Sequence, residues 1–213
     1  IELLDARIPF SSENPMLANL RGKKPCLKVL SKSDLADPVR TAEWQAHLER
    51  QNGVWSRAVT TTQTGTIARL TEVCHNMLPE RQGFGKPIRA MIVGIPNVGK
   101  SSILNQLTDR KLAKTGNEPA VTRRQQRVQL DENWYLIDTP GLLWPRLEDQ
   151  GAAFMLACTG TIRNTAVEAE DIAWFTAEML LKDHRHVLTH RYNIAGSVTQ
   201  PEQLLRHIAE IRG

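Results

Sequence analysis

The residues best suited to chemistry form a glycine-rich loop, Gly94 to Ser101, with the sequence GIPNVGKS. The spacing fits the phosphate-loop pattern GxxxxGK[ST], in which backbone N–H groups hold phosphates, a lysine neutralises them and a hydroxyl binds Mg²⁺. The apolar stretch Ala90 to Val93 precedes the loop and a helical pattern follows it, as phosphate binding requires. The sequence therefore predicts a bound nucleoside triphosphate with Mg²⁺. The predicted binding residues in this loop are Gly94, Asn97, Val98, Gly99, Lys100, Ser101 and Ser102.

A second phosphate-site motif, Asp138-Thr139-Pro140-Gly141, follows the apolar stretch Trp134 to Ile137. Taken alone, such a DxxG pattern is more often a plain turn at the end of a strand. Paired with the upstream phosphate loop, it places a carboxylate near the ligands of Mg²⁺ and a glycine where it can meet the γ-phosphate. Asp138 and Gly141 therefore join the predicted nucleotide-binding residues.

The stretch Ser31-Lys32-Ser33-Asp34 indicates which base is bound. It follows the apolar run Cys26 to Leu30, so it lies at a carboxyl edge, where open α/β sheets bind ligands. The Asp34 carboxylate can accept from guanine N1–H and its exocyclic amine, a donor pair that adenine lacks, and the Lys32 stem can lie on the base plane. The four residues alone would fit a solvated turn equally well, but beside a phosphate loop they favour GTP over ATP. They stand upstream of the phosphate loop, an inverted order.

Apolar runs bounded by turn residues alternate with helical patterns through the first two thirds of the chain. This alternation predicts an α/β fold with a six-stranded, mostly parallel sheet and helices on both faces. The six predicted strands are Ile1 to Leu4, Cys26 to Leu30, Val54 to Val59, Ile88 to Val93, Gln126 to Leu130 and Trp134 to Ile137. The predicted helices in this part are Pro38 to Gln51, Thr66 to Leu78 and Ser101 to Leu107.

From Pro145 onward only helical patterns remain, namely Gln150 to Leu156, Ala166 to Leu181 and Pro201 to Ile211. The last has Pro201 in its first turn and Thr199 with Glu202 in the spacing of a capping box. We therefore predict two domains, a nucleotide-binding domain at 1–144 and a helical C-terminal domain at 145–213, with residues missing at both ends.

The composition is that of an ordinary globular chain. The 213 residues are 41% hydrophobic and 23% charged, and no apolar run is long enough to span a bilayer. The three cysteines are far apart in sequence, which favours reduced buried thiols over disulfides or a zinc site. The net charge is +4, and residues 110–127 attract polyphosphate or form a solvated loop. The basic residues in this segment are Arg110, Lys111, Lys114, Arg123, Arg124 and Arg127, against Glu118.

Together the motifs resemble the circularly permuted GTPases that assemble the large ribosomal subunit, a family that includes ribosome biogenesis GTPase A and its mitochondrial relatives. The resemblance implies a circularly permuted P-loop GTPase domain followed by a small all-α C-terminal domain. It rests on segments that cover nearly the whole chain: Asp5 to Pro9 (DARIP) with Ser11, Ser12, Asn14 and Pro15, then SKSD, GIPNVGKSS, Glu118 to Thr122 (EPAVT), DTPG with Leu142 to Pro145 (LLWP), and Leu156 to Ile162 (LACTGTI).

The resemblance also assigns individual residues. It implies that Thr122 joins Ser101 on Mg²⁺ and that Thr60 or Thr61 contacts the guanine through its backbone. It further implies that Asn97 coordinates an activating K⁺, with stabilisation of the loop as the alternative. Two positions depart from the family pattern: Ser31 replaces the usual asparagine of the base motif, so one hydrogen bond to the base or the loop is expected to be lost, and Ala120 replaces a glycine.

Hydrolysis needs a group that orients the attacking water. Leu142 stands where Ras-like proteins carry a glutamine, and it cannot hold a water. The resemblance implies a histidine upstream of the first strand, before Ile1, as the orienting group, with Lys100 stabilising charge. We therefore expect slow intrinsic hydrolysis that ribosomal particles stimulate.

The predicted function is that of a GTP-binding and GTP-hydrolysing assembly factor that couples nucleotide state to ribosomal RNA binding on the large-subunit precursor. The expected location is the cytoplasm, or the mitochondrial matrix for an organellar protein. The alternatives are a GTP-dependent scaffold with negligible hydrolysis and a P-loop ATPase.

Overall fold

The structure, a computed structural model, describes residues 1–81, 87–108, 126–143, 149–162 and 168–213. The described strands are β1 (Glu2–Asp5), β2 (Cys26–Ser31), β3 (Val54–Ala58), β4 (Ile88–Gly94), β5 (Gln126–Asp131) and β6 (Trp134–Asp138). The described α-helices are α1 (Pro9–Ser12), α2 (Pro15–Arg21), α3 (Pro38–Leu48), α4 (Thr64–Met77), α5 (Lys100–Thr108), α6 (Gln150–Cys158), α7 (Ala169–Asp183), α8 (Arg185–Tyr192) and α9 (Pro201–Arg212). Two short 3₁₀ helices cover Ser33–Leu35 and Pro79–Arg81.

The six strands form one sheet in the order β3-β2-β1-β4-β6-β5. All neighbouring pairs are parallel except β5 and β6, which are antiparallel. The six-stranded, mostly parallel sheet predicted from the sequence is thereby confirmed, and every predicted strand is present within one or two residues of its expected bounds.

The register of the parallel strands brings their carboxyl ends to one edge. Asp5 of β1 lies opposite Ser31 of β2, while Leu3 of β1 lies opposite Gly94 of β4. Asp138 ends β6 beside Ile92 of β4. Motifs that are far apart in the chain therefore meet at the edge where open α/β sheets bind ligands.

Proline and polar caps fix where several helices begin. Asn14 precedes Pro15 and accepts from the backbone N–H of Met16, and Asp37 precedes Pro38 and accepts from that of Arg40. A proline suits the first helical position because it has no N–H to leave unsatisfied, and the cap accepts from one of the N–H groups that remain. Helices α1, α2 and α8 were not among the sequence predictions, because at four, seven and eight residues they are too short to show a clear helical period.

At α9 the predicted capping box is wrong in its register. Gln200, not Thr199, is the N-cap, because Pro201 occupies the first helical position. The side chain of Gln203 accepts from the backbone N–H groups of both Thr199 and Gln200, at 2.9 and 3.2 Å. Gln203 therefore does the work that the pattern assigned to Glu202.

The chain divides into two compact units, Ile1–Ala152 and Ala153–Gly213. In the second unit α7, α8 and α9 enclose a small apolar core made of Ala177, Leu188, Ile194 and Leu204. The predicted domain boundary after residue 144 stays a prediction, because residues 144–148 lie outside the described ranges.

Two sequence expectations concern surfaces. Cys26 and Cys74 are buried as expected, whereas Cys158 is exposed, because it ends α6 at the surface. Within the described part of the chain, no helix has the length and apolar character needed to cross a membrane.

Candidate nucleotide-binding site

The phosphate loop connects β4 to α5 and depends on backbone conformations that favour glycine. Gly94 and Gly99 have φ angles of +154° and +103°, and Asn97 has +58°. A Cβ atom on Gly94 would lie 2.6 Å from the carbonyl oxygen of Leu3. Because that neighbour is backbone of the adjacent strand β1, it cannot move aside, and only glycine fits at this position.

Lys100 begins α5 and is held inside the loop. Its side chain is 6% exposed, and its Nζ donates to the carbonyl oxygens of Gly94 and Ile95 at 2.9 and 2.7 Å. Burial lowers the pKa of Lys100 to about 8, and the negative charge of Asp138 opposes that shift. A buried cation whose partners are mainly carbonyl dipoles is well placed to receive an anion.

The end of β6 lies directly against the phosphate loop. Asp138 is fully buried, and the Thr139 hydroxyl donates to the carbonyl oxygen of Ile92 at 2.8 Å. A Cβ atom on Gly141 would lie 2.8 Å from both the N and the Cα of Pro96. The backbone N–H of Leu142 donates to Gly94 at 3.0 Å. The structure thus brings the two predicted phosphate motifs together through backbone contacts.

The base motif is joined to the phosphate loop by Ser31. The Ser31 hydroxyl is buried, 2.6 Å from the carbonyl oxygen of Val98 and 3.0 Å from that of Leu4. A hydroxyl has one proton, so these two acceptors share it. The sequence predicted that Ser31 would lose a hydrogen bond either to the base or to the loop. The structure shows that the bond to the loop is present. Loss of a bond to the base stays a prediction.

The rest of the base motif turns sharply after β2. Lys32 has a φ of +56°, a left-handed conformation that costs a residue with a Cβ about 1 kcal/mol or more. Ser33 donates its N–H to Val59 at 3.1 Å and starts the 3₁₀ helix that contains Asp34. Asp34 is exposed at this edge of the sheet, where a base could reach it.

The two candidate threonines after β3 have different surroundings. Thr60 is buried, and its backbone N–H and C=O both bond to the Thr66 hydroxyl of α4, at 3.3 and 3.1 Å. Thr61 is exposed, and its carbonyl oxygen accepts from Gln106 of α5 at 2.9 Å. The β3 loop is therefore tied to the helix that follows the phosphate loop.

Comparisons with known proteins agree with this geometry. A family model described as "50S ribosome-binding GTPase" matches residues 89–197. The chain is 39% identical to ribosome biogenesis GTPase A of Bacillus pumilus, covering 100% of this chain and 77% of that protein. It is 34% identical to mitochondrial ribosome-associated GTPase 1 of Mus musculus, covering 98% and 68%. This chain belongs to the ribosome biogenesis GTPase family.

Solved structures support the same fold for this GTPase. The GNP-bound structure of YlqF from T. maritima superposes with a TM-score of 0.61 at 22% identity, covering 99% of this chain and 85% of that one. The GDP-bound structure of TM YlqF gives a TM-score of 0.59 at 21% identity, covering 99% and 88%. Family membership makes the chain a GTP-hydrolysing enzyme and disfavours the P-loop ATPase alternative.

The donor set of this family member suits the expected Mg²⁺. Ser101 lies in the first turn of α5, next to Lys100, and Asp138 is a buried carboxylate close enough to Lys100 to affect its pKa. Hydroxyl and carboxylate oxygens are the ligands that Mg²⁺ prefers. Thr122 and most of the basic segment 110–127 lie outside the described residues.

Sequence reasoning missed a group of charged residues beside the base motif. Asp5 is 1% exposed and pairs with both Arg7 and Lys32, at 2.7 and 3.0 Å. The signal was an acidic residue at the end of an apolar strand, followed two residues later by arginine. The segment is part of the family resemblance, which implies no role for it.

Proposed function

We propose that this chain binds GTP with Mg²⁺ at the carboxyl edge of its sheet and hydrolyses it as an assembly factor for the large ribosomal subunit. The observation that carries the proposal is the junction of the three motifs, in which Ser31 bonds to Val98 and Gly141 lies against Pro96. The match to the 50S ribosome-binding GTPase model supports the choice of partner.

The residues divide into a base group and a phosphate group. Asp34 and Lys32 recognise guanine, Ser31 and Ser33 fix that turn, and the backbone after β3 at Thr60 or Thr61 completes the base pocket. The phosphates are held by backbone N–H groups of the loop from Gly94 to Ser102, through Asn97, Val98 and Gly99, and by Lys100. Ser101 and Thr122 hold Mg²⁺, with Asp138 behind them and Gly141 facing the γ-phosphate.

Hydrolysis by the protein alone is expected to be slow. Leu142 follows the second phosphate motif, and its apolar, 41% exposed side chain cannot orient a water. Lys100 stabilises negative charge on the phosphates, but a group that positions the water is also needed. Ribosomal particles are therefore expected to stimulate turnover, and the proposed place of action is the compartment in which ribosomes assemble, the cytoplasm or the mitochondrial matrix.

Nucleotide state is proposed to control binding to ribosomal RNA. The second phosphate motif is bonded to the phosphate loop through Leu142 and Gly94, and along the chain it leads into the helical C-terminal unit. Loss of the γ-phosphate would change the segment at Gly141 and with it the surface offered to RNA. The basic residues of 110–127 add attraction for the RNA backbone.

The test is GTP turnover by the full-length protein with and without large ribosomal subunits, in K⁺ and in Na⁺ buffer. We expect a low rate alone, a clear increase with subunits, and a further dependence on K⁺ that Asn97→Ala abolishes. Lys100→Ala is the inactive control. GTP binding with no turnover under any of these conditions would instead favour a GTP-dependent scaffold.

A binding assay tests the coupling to RNA separately. Affinity for large-subunit precursors is measured with a non-hydrolysable GTP analogue and with GDP. Tighter binding in the analogue state is expected. Equal affinities in both states would contradict the proposed coupling while leaving the GTPase activity in place.

A further inference from the structure

Strand β1 lies between the strand that carries the base motif and the strand that leads to the phosphate loop. Both neighbouring strands contact β1 near this edge: the Ser31 hydroxyl of β2 lies within hydrogen-bond distance of the carbonyl oxygen of Leu4, and Gly94 of β4 approaches the carbonyl oxygen of Leu3. None of the nucleotide-site residues described above lies in β1. Asp5, the last residue of the strand, ends at the same edge as the site.

The Asp5 carboxylate is saturated with donors from two cations. Its Oδ1 accepts from the backbone N–H and the Nε of Arg7, at 3.1 and 2.9 Å. Its Oδ2 accepts from Nη2 of Arg7 at 2.7 Å and from Nζ of Lys32 at 3.0 Å. Lys32 belongs to the base motif, so the carboxylate connects β1 directly to the base-binding side chain.

The position of this carboxylate is fixed by its own backbone. The N–H of Asp5 donates to the Ser12 hydroxyl at 2.9 Å, and that hydroxyl donates to Pro9 at 3.1 Å. The following residue, Ala6, donates to Ser31 at 2.9 Å. Asp5 is 1% exposed, whereas the Lys32 side chain is 29% exposed. A partly exposed lysine is therefore held by a buried acceptor whose backbone is itself hydrogen-bonded.

Asp5, Arg7 and Lys32 together carry a positive charge beside the base site. Burial by itself would raise the pKa of Asp5, but the hydrogen bonds and charges of Arg7 and Lys32 outweigh it, and the pKa is lowered. Asp5 is thus ionised at neutral pH. Since Arg7 already balances that one negative charge, the three groups together keep a net charge of about +1.

We propose that Asp5 is a positioning residue for the base subsite, which holds the Lys32 side chain where its stem covers the guanine ring, while Arg7 balances the Asp5 charge. This inference rests on the proposed guanine site and gives the DARIP segment a role within it. Asp5 does not touch the nucleotide. Without Asp5, Lys32 would sample other rotamers and would lose part of its contact with the base.

The test uses Asp5→Asn, which keeps the shape of the side chain but removes its charge. We expect KM for GTP to rise about tenfold, the size expected when a charge-assisted hydrogen bond is lost. The value of kcat should stay within about twofold, because base contacts act equally in the ground and transition states. A purely structural role would disturb the phosphate loop and lower kcat as well, and that outcome would overturn the proposal.

A double-mutant cycle identifies Lys32 as the residue through which Asp5 acts. GDP affinity is measured for Asp5→Asn, Lys32→Met and the double variant. If Asp5 works through Lys32, the double variant should match Lys32→Met within about twofold. If the double variant instead loses GDP affinity by the product of the two single losses, the proposal is overturned.

Arg7→Met is the matched control, because it removes the two side-chain hydrogen bonds of Arg7 to the same carboxylate but leaves the backbone N–H bond and the pair with Lys32. GDP affinity should then change by less than about threefold. An effect as large as that of Asp5→Asn would show that Asp5 only anchors its loop. Thermal unfolding checks that each variant is folded, and Asp5→Ser takes the place of Asp5→Asn in the cycle if the latter does not fold.

The wild-type measurement separates this inference from the proposed function. Absence of a preference for GDP over ADP in the wild-type chain would overturn both. A clear preference for GDP combined with additive effects in the cycle would overturn only the role of Asp5.

Discussion

The two halves of the nucleotide site are built in different ways. On the base side, formed by β1, β2 and β3, side chains do the holding: the Ser31 hydroxyl reaches Val98 and the Asp5 carboxylate holds Lys32. On the phosphate side, formed by β4, α5 and β6, the glycines meet neighbouring backbone directly and leave no room for a Cβ: Gly141 lies against Pro96, and Gly94 lies against Leu3 of the adjacent strand β1. Loss of one side-chain hydrogen bond costs a modest amount of stability. Steric overlap with a backbone costs more, because the backbone cannot move aside without shifting its strand.

The largest effect is expected for Gly94→Ala on the phosphate side. Its Cβ would lie 2.6 Å from the Leu3 carbonyl oxygen, and its φ of +154° is one that side chains rarely adopt. We expect a loss of about 3 kcal/mol in the free energy of unfolding, from urea denaturation, and loss of GDP binding.

Gly65→Ala is the control, because Gly65 lies in the first turn of α4 with nothing within 4 Å of a Cβ. It should leave stability unchanged or raise it by about 0.5 kcal/mol. Equal stability losses for both variants would contradict the contrast between backbone contact and open space.

A smaller, pH-dependent effect is expected from Lys100. Its folded pKa of about 8 lies below the ordinary value of 10.5. Between these values the unfolded chain holds a proton that the folded chain has released, so the stability of the nucleotide-free protein rises with pH in this range. Below pH 8 Lys100 is charged in both states, and the full cost of burying its charge lowers the stability. The free energy of unfolding should rise between pH 8 and 9.5, by up to about 1.4 kcal/mol per pH unit.

Lys100→Met isolates this effect, since the variant has no proton to exchange at that position. The stability of the wild type relative to this variant should rise above pH 8 and be flat below it. GDP binding should run the other way, because phosphate needs the charged lysine, and its affinity should fall above pH 8. A constant stability difference from pH 7 to 9.5 would show that Lys100 is not desolvated.

The smallest effect is expected at Ser31 on the base side. Ser31→Ala removes the hydroxyl proton that the carbonyl oxygens of Val98 and Leu4 share. The affinity for GDP should fall about fivefold, and the free energy of unfolding should fall by about 1 kcal/mol. Ser31→Asn restores an amide that can reach both the loop and the base, so it should bind GDP at least as tightly as the wild type. Calorimetric titration of the three proteins compares them. Unchanged affinity in Ser31→Ala would mean that the link between the subsites carries no energy.

The elements that follow a regular pattern could be predicted from the sequence, since β-strand runs and amphipathic helices reflect burial of one face. The short helices α1 and α2 were not predicted because they are four and seven residues long and begin at prolines, so neither is long enough to show a helical period. The cap of α9 was misassigned for a similar reason. A spacing of three residues fits several starting points, and only the position of Pro201 in the first turn selects one.

The sequence by itself determined the phosphate loop, the second phosphate motif, the base motif and their unusual order, because each depends on local backbone freedom and on residue types a few positions apart. The tertiary structure alone decided how these motifs are joined. Ser31 meets Val98, Gly141 meets Pro96 and Asp5 holds Lys32 across 27 to 67 residues of chain. These contacts depend on β1 lying between β2 and β4, and strand order in a sheet is set by the packing of the whole domain.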